Sequence, residues 1–385
     1  VFGYSGGAIL PTYDAIFRHN ASHKQKEQIR LVVPANEQGA GFMAAGYARA
    51  SGKAGVFLVT SGPGATNTVT PIRDCMADSV PVVLICGQVP RSAIGSDAFQ
   101  EAPIFNIMSA CAKHVFLVSD PNELEATVRT AFHIARSGRP GPVVIDLPKD
   151  VQNWSGHYRG EGLLEYRGFE KRLNKLNSAK LSSRSAQSFF KMLSASERPL
   201  IYAGGGVIND NASYALRRFA RHFQIPVVTT LMGIGSMDTS DDLALHMLGM
   251  HGTPYANYAV EDCDFLIAIG ARFDDRVAGK VDAFAPNARH IAHIDIDAAE
   301  IGKVKSTDWS FVGPATVALD TLIEAGADIR TDFSEWIKHS HQLRRKYPMD
   351  YDRSSELIQP YYVLECLNEL TKGEAIICTR SEERR

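Results

Sequence analysis

Two short stretches of this sequence hold residue types that could do chemistry. Asn36-Glu37-Gln38-Gly39-Ala40-Gly41 stands where an apolar run gives way to a helical pattern. A carboxylate there is favoured by the positive end of the helix. Glu37 either does no more than open that helix, a common arrangement, or serves as an acid that shares a proton with a ligand. Thr60-Ser61-Gly62-Pro63-Gly64-Ala65-Thr66-Asn67 repeats the strand–turn–helix order after the next apolar run. Gly62 and Gly64 permit close backbone approach to a ligand, and Asn67 sets a side-chain amide on the first helical turn. Gly-Pro-Gly alone is also an ordinary tight turn. Two such turns at the carboxyl ends of neighbouring strands describe one crevice.

A second series lies further on: Ala203-Gly204-Gly205-Gly206, Thr229-Thr230-Leu231-Met232-Gly233, Leu248-Gly249-Met250-His251-Gly252, Gly270-Ala271-Arg272-Phe273-Asp274-Asp275-Arg276 and His293-Ile294-Asp295-Ile296-Asp297. Glycine-rich strand ends cradle nucleotides, and an acidic residue at a strand end can accept from ribose hydroxyls. Gly204, Gly205 and Gly206 lack the full dinucleotide spacing, and His251 reads equally as a surface histidine. No His/Cys/Asp grouping has zinc-like spacing, so no metal site is expected within the chain.

The elements that must position these residues are those of an α/β protein. Candidate strands at 31–33, 56–60, 82–86, 115–118 and 143–146 alternate with helical patterns at 38–50, 65–77 and 123–136. This is the order of βαβ units and a mainly parallel sheet, covered on both faces. A second set follows, with strands at 199–203, 227–230, 265–269 and 290–296 and helices at 212–223 and 255–261. The expected fold is therefore two consecutive parallel-sheet, three-layer α/β domains, 1–149 and 186–328, the second Rossmann-like. A polar surface linker at 150–185 separates them, and a connecting segment at 329–385 follows. Residues 361–370 read as a helix and 375–378 as the first strand of a third unit, where the chain is expected to be cut. A missing start is expected too, because Val1 lies inside a motif.

Of the 385 residues, 45% are hydrophobic and 22% charged, and the formal net charge is -2. That balance suits an ordinary globular protein and gives no electrostatic footprint for nucleic acid or an anionic membrane. No apolar run reaches the ~20 residues of a membrane helix, and no secretory signal is expected. Cys75, Cys86, Cys111, Cys263, Cys366 and Cys378 form no C-x-x-C pair. They read as reduced, mostly buried thiols of a reducing compartment, the cytoplasm or an organelle matrix.

The motifs occur in a telling order. Val1-Phe2-Gly3-Tyr4-Ser5-Gly6-Gly7-Ala8-Ile9-Leu10-Pro11 precedes the two stretches above. Gly87-Gln88-Val89-Pro90, Ser92-Ala93-Ile94-Gly95, Asp97-Ala98-Phe99-Gln100-Glu101 and Gly138-Arg139-Pro140-Gly141-Pro142 with Asp146-Leu147-Pro148-Lys149-Asp150 follow. The sequence resembles the acetohydroxyacid synthase family of thiamine-diphosphate enzymes over nearly its whole length. That resemblance implies a pyrimidine-binding domain followed by an FAD-binding central domain. It implies a carboligase that decarboxylates pyruvate and joins the two-carbon unit to a second pyruvate or to 2-ketobutyrate, in branched-chain amino-acid biosynthesis.

By the same resemblance Glu37 is catalytic, hydrogen-bonded to a ring nitrogen of the aminopyrimidine so that the cofactor can deprotonate its own thiazolium carbon. Tyr4, Gly7, Pro63, Asn67 and Gln100 line the pyrimidine pocket. Phe99 and Lys149 border the substrate channel, with core packing and a solvated loop as their alternatives. Arg276 reads a substrate carboxylate. FAD, without a redox part in the main reaction, is expected on Arg139, Gly204, Gly205, Gly206, Thr230, Leu231, Met232, Leu248, Gly249, Met250, His251, Gly252, Gly270, Arg272, Asp274, Asp295 and Ile296. A homodimer or homotetramer and a regulatory small subunit are implied as partners.

Five departures from the family stand out. Asn36 replaces a histidine, Ser5 a proline, and Pro314 an aspartate that helps hold FAD. The segment 18–29 is longer than usual and is expected to be a surface loop. The Gly-Asp-Gly motif and later asparagine that hold Mg2+ and the diphosphate are missing, so this segment alone is expected to be inactive. Two other readings remain at this point: a related thiamine-dependent decarboxylase or oxidase, and a non-catalytic nucleotide-binding module.

Overall fold

A computed structural model describes residues 1–377. The first sheet contains β1 (Phe2–Gly3), β2 (Gly55–Val59), β3 (Val82–Gln88), β4 (His114–Leu117) and β5 (Val143–Pro148), in the order β1-β2-β3-β5-β4. The second contains β6 (Pro199–Ala203), β7 (Val227–Thr229), β8 (Ala244–Met247), β9 (Phe265–Ile269), β10 (His290–Asp295) and β11 (Trp309–Val312), in the order β11-β10-β9-β6-β7-β8. Every strand pairing is parallel. Central strands such as β5, β6 and β9 are buried along their whole length, as apolar runs covered by helices on both faces must be. The second order reverses direction between β6 and β9, so their carboxyl ends form a crevice at a topological switch point.

Helices α1 (Leu10–Ser22), α2 (Glu37–Ser51), α3 (Pro63–Thr66), α4 (Val69–Ala77), α5 (Ile104–Ser109), α6 (Leu124–Arg136) and α7 (Lys149–Gln152) accompany the first sheet. Next come α8 (Phe169–Asn177), α9 (Ser183–Ser194), α10 (Gly205–Asn209), α11 (Ser213–Phe223), α12 (Pro254–Asp262), α13 (Asp275–Ala278), α14 (Ala315–Ala325), α15 (Ser334–Lys346) and α16 (Pro360–Thr371). Alanines at one-turn spacing let α2 lie flat on the sheet, with Ala40, Ala44 and Ala48 buried. The side-chain oxygen of Asn36 accepts from the Gly39 amide at 2.7 Å and caps that helix. The departure from histidine at 36 thus has a local structural use.

The structure corrects several expectations. Residues 31–33 form no strand. Val32 makes a single parallel bridge to Phe2 on the outer edge of β1, and Pro34 soon after has no N–H with which to extend the ladder. The expected helix 65–77 is two helices, broken at Asn67 and Thr68. The segment 18–29 is not all loop: α1 continues to Ser22, and both side-chain polar atoms of Asn20 bond the Ile29 backbone. The linker contains the exposed helix α8. Residues 375–377 carry no strand, and Cys378, with the polar end of the chain, lies outside the described residues. The strands β1, β8 and β11 were not anticipated.

Candidate functional site

Four segments meet where the carboxyl ends of β1, β2 and β3 come together. Glu37 opens α2 just beyond the Val32 bridge, the segment 4–7 follows β1, the turn 60–67 follows β2, and the segment 89–101 follows β3. Thr60 ties the first two loops: its Oγ1 accepts from the Ala8 amide at 3.2 Å. The Asn67 amide donates to Glu37 Oε2 at 3.1 Å. A Cβ on Gly64 would lie 3.5 Å from Glu37 Oε1, so both carboxylate oxygens face this turn. Gly62 has φ +55°, and a Cβ there would stand 2.3 Å from the Gln100 carbonyl. Only glycine lets the two loops touch.

The loop after β3 is held open by its own charge. Both oxygens of Glu101 accept backbone amides, from Gly95 at 2.5 Å and Ala98 at 3.0 Å, and those bonds lower its pKa. Asp97 and Gln100 take positive φ, 55° and 58°. Such strain in non-glycine residues survives where the surroundings over-determine it, and it clusters at sites. The result is that Phe99 projects outward, 88% exposed. Core packing, its alternative role, is ruled out. Tyr4, Gly7, Pro63, Asn67 and Gln100 are likewise exposed, while Glu37 and Lys149 are half-buried.

Beneath this cleft lies a buried acid that the sequence reading missed. Asp146, 1% exposed on β5, accepts from the Gln88 amide at 3.2 Å and stands 3.7 Å from Cys86 Sγ. Burial raises its pKa to about 7, against the lowering effect of those hydrogen bonds. Gln88 also donates to the Ala102 carbonyl at 3.2 Å. It therefore connects β5 to the loop that carries Phe99 and Gln100.

A second site lies between the two sheets. A cavity of about 580 Å³ is walled on one side by the end of α6 and the turn after it, His133 to Pro140, together with Asp78 and Ser79. The other wall comprises Gly204, Gly205, Gly206, Thr230, Leu231, Met232, Gly270, Arg272, Asp274, Arg276, Asp295 and Ile296. Leu173 and Asn177 of α8 and Pro314 complete it. This size falls in the ordinary range for a bound cofactor. Gly206 and Gly270 interlock: Gly270 has φ +57°, and a Cβ on it would come within 2.5 Å of Gly206 Cα.

Two of the cavity's cations, Arg139 and Arg272, are already engaged. Arg139 Nη1 contacts Glu300 Oε1 at 2.6 Å and Asp297 Oδ2 at 3.2 Å, and its Nε donates to Ser79 Oγ at 2.9 Å. Arg272 lies 4.0 Å from Asp78, whose other oxygen pairs with Arg49 at 2.8 Å. These contacts join the two α/β units across the crevice.

Residues 1–109 match the family described as "Thiamine pyrophosphate enzyme, N-terminal TPP binding domain", and residues 186–322 match "Thiamine pyrophosphate enzyme, central domain". The chain is 45% identical to "Acetolactate synthase 3, chloroplastic" of Brassica napus over 98% of its own length and 57% of that protein's. It is 43% identical to the "Acetolactate synthase large subunit" of Corynebacterium glutamicum, over 98% of its own length and 59% of that protein's. The chain belongs to the thiamine pyrophosphate enzyme family. Within that family it resembles acetolactate synthases and spans somewhat more than half of their length.

The chain carries its N-terminal cleft within the first matched region and the central-domain wall of its cavity within the second. Glu37, Asn67, Pro63, Gln100, Tyr4 and Gly7 all belong to loops of the cleft. Of the residues expected to hold FAD, Arg139 and all those from Gly204 to Met232 and from Gly270 to Ile296 line the cavity. Leu248, Gly249, Met250, His251 and Gly252 do not. Leu248 is buried in the core, Met250 is 65% exposed, and Asn257 grips Gly249 at both its N–H and its C=O. That loop reaches the site only at one remove, through the Met250 amide on the Arg276 carbonyl at 2.9 Å. Pro314 lines the cavity with no N–H to offer.

Asp78, Ser79, His133, Arg136, Leu173, Asn177 and Glu300 were missed. Their signal in the sequence is that of ordinary helix ends and linker, because their partners lie far along the chain. Cys75, Cys86, Cys111, Cys263 and Cys366 are free thiols. Burial pushes Cys75 and Cys263 up to about 12, which keeps them as unreactive thiols.

Proposed function

We propose that this chain supplies the pyrimidine-binding and flavin-binding parts of an acetolactate synthase-like carboligase. Such an enzyme decarboxylates pyruvate and joins the two-carbon unit to pyruvate or 2-ketobutyrate. The observation that carries the reading is the Glu37 carboxylate, held by Asn67 at 3.1 Å over the Gly62–Gly64 turn within the matched thiamine-binding region. When bound, thiamine diphosphate would supply the electron sink for loss of carbon dioxide. The chain's own part is to hold and exchange a proton. Asn67 fixes one carboxylate oxygen, leaving the other free to bond a ring nitrogen of the aminopyrimidine. Tyr4, Gly7, Pro63 and Gln100 would enclose that ring. Phe99 and Lys149 would border the substrate channel, and Arg276, with an exposed guanidinium, would read a substrate carboxylate.

The cavity fits a flavin dinucleotide in size and in its glycine-lined floor. Gly204, Gly205, Gly206, Thr230, Gly270 and Arg272 would hold its phosphates and rings, and Asp295 its ribose. Asp295 Oδ1 accepts from the Asp297 amide at 2.8 Å, leaving Oδ2 for a ligand hydroxyl. A flavin there would stiffen the join between domains. The diphosphate and Mg2+ belong, on this reading, to the length that the relatives have beyond this match.

The open cleft and the exposed apolar residues Phe42, Met43 and Tyr47 on α2 support a second subunit closing over Glu37, in a homodimer or homotetramer. A regulatory small subunit is part of the same proposal. No helix of the described residues is long and apolar enough to cross a membrane. The relatives from Brassica napus and Arabidopsis thaliana are named chloroplastic, and we place this protein in the cytoplasm or an organelle matrix.

The test is product analysis on a protein carrying this chain together with the further length of its relatives. Given pyruvate, thiamine diphosphate, Mg2+ and FAD, acetolactate is the expected product. Acetaldehyde or acetate without acetolactate would overturn the carboligase reading.

A further inference from the structure

Lys113 precedes β4 and points away from solvent. Its backbone amide bonds the Pro142 carbonyl at 2.8 Å, and its stem runs beneath Gly141, where a Cβ would come within 3.3 Å of it. The ammonium reaches the end of α6, donating to the Ile134 carbonyl at 2.5 Å and the Ser137 carbonyl at 2.6 Å. A helix ends with carbonyls that lack partners, and a lysine that bonds them also meets the negative end of the helix dipole. Just past these carbonyls the chain turns through Gly138, φ +54°, and sends Arg139 into the interdomain cavity. The charged groups acting on Lys113 are Arg139, from that turn, and Asp297, from the loop after β10. Asp297 is in turn a partner of Arg139.

We propose that Lys113 is a positioning residue of the interdomain cavity: its buried ammonium closes α6 and so fixes the turn that presents Arg139 to the ligand. Arg139 holds Glu300, Asp297 and Ser79 at once, which asks for a fixed backbone, and Lys113 bonds the carbonyl of Ser137 two residues before it. Burial and the neighbouring Arg139 lower the lysine's pKa to about 8. The ammonium is therefore charged at neutral pH, and the penalty of holding that charge out of water is relieved as pH rises through 8. The ligand assumed is the flavin dinucleotide of the preceding proposal, and the test separates the two.

FAD binding is followed by flavin fluorescence, alongside hydrogen exchange at the amides of 137–141, for the native chain and Lys113→Met. The methionine keeps the stem and removes two charge-assisted bonds, so FAD affinity falls about tenfold. The amides of 137–141 lose protection while those of β6 and β9 do not. Equal affinity and unchanged protection at 137–141 in Lys113→Met overturn the proposal. If the native chain binds no FAD, the flavin reading fails, and the exchange comparison alone decides on Lys113: unchanged protection at 137–141 sinks it. If the variant does not fold, the native chain decides. Protection at 137–141, corrected for intrinsic exchange, must rise above about pH 8, because the open state binds the lysine proton more tightly than the closed one, and a constant value contradicts the role.

Discussion

The cleft around Glu37 and the cavity around Arg139 are built on opposite plans. In the cleft the polar groups are sparsely engaged. Glu37 makes one side-chain hydrogen bond, Phe99 stands in solvent, and the loops converge without a roof. In the cavity the guanidinium of Arg139 is already bound by two carboxylates and a hydroxyl drawn from elements 60 to 161 residues away. The first site is an open arrangement of loops; the second is walled by both α/β units of this chain. A group that must exchange a proton needs a free lone pair. A group that binds and holds two domains gains from being fixed in advance.

The sharpest way to break this comparison is to exchange the losses. Glu37→Gln, in a protein with the relatives' remaining length, should lower acetolactate turnover by about 10²- to 10⁴-fold. Its FAD affinity should stay unchanged. Loss of flavin affinity in that variant would mean that the two regions are not separate.

Next in size is the buried acid beneath the cleft. The folded pKa of Asp146 is about 7, well above its ordinary 3.8. Its neutral form therefore favours the fold fully below about pH 4, and that contribution is lost as pH rises through 7. Asp146→Asn should match the native chain near pH 4. It should be more stable at pH 8, by something on the order of 4 kcal/mol. Urea unfolding at both pH values checks this, and equal stability of the two chains at pH 8 would count against a neutral Asp146.

Arg139→Met strands Glu300, whose side chain is only 4% exposed, with Lys303 as its remaining cation. We expect a loss of ~3 kcal/mol in the same assay. A loss below ~0.5 kcal/mol would show that the interdomain tie contributes little. Phe99→Ala should leave stability within ~0.5 kcal/mol of native, since the ring is exposed. Any effect should fall on the substrate; a larger loss of stability would contradict its outward placement.

Much of both sites could be read from the sequence, for different reasons. Glu37 and Asn67 were legible because strand–turn–helix junctions carry their own punctuation in glycine, proline and a capping asparagine. The glycines of the cavity were legible in the same way. The strands that frame them were harder to see. Phe2–Gly3 is too short to show any period, and Val32 earns its place in the sheet through one bridge only. The strand Trp309–Val312 does alternate buried and exposed residues, but four positions are few for a pattern to declare itself.

What the sequence withheld are long-range pairings. His133 and Arg136 look like the polar end of any amphipathic helix, and Glu300 like a solvated loop residue. Glu300 is buried only because Arg139 of the first domain meets it, and His133 finds its partner in Glu170 of the segment between the domains. Asp146 shows the same limit, since only the fold sets Gln88 and Cys86 beside it. The loop 248–252 differs in the opposite direction: its glycines resemble a ligand loop, yet it lies outside the cavity lining and Asn257 holds Gly249 to α12.

The central claim concerns a proton, and exchange at the thiazolium carbon of thiamine diphosphate reads that proton directly. In an assembled protein bearing this chain, the rate of deuterium loss at that carbon should fall by at least about 10²-fold in Glu37→Gln. Cofactor occupancy should be unchanged. An exchange rate equal to that of the native protein, with cofactor bound, would contradict the role given to Glu37.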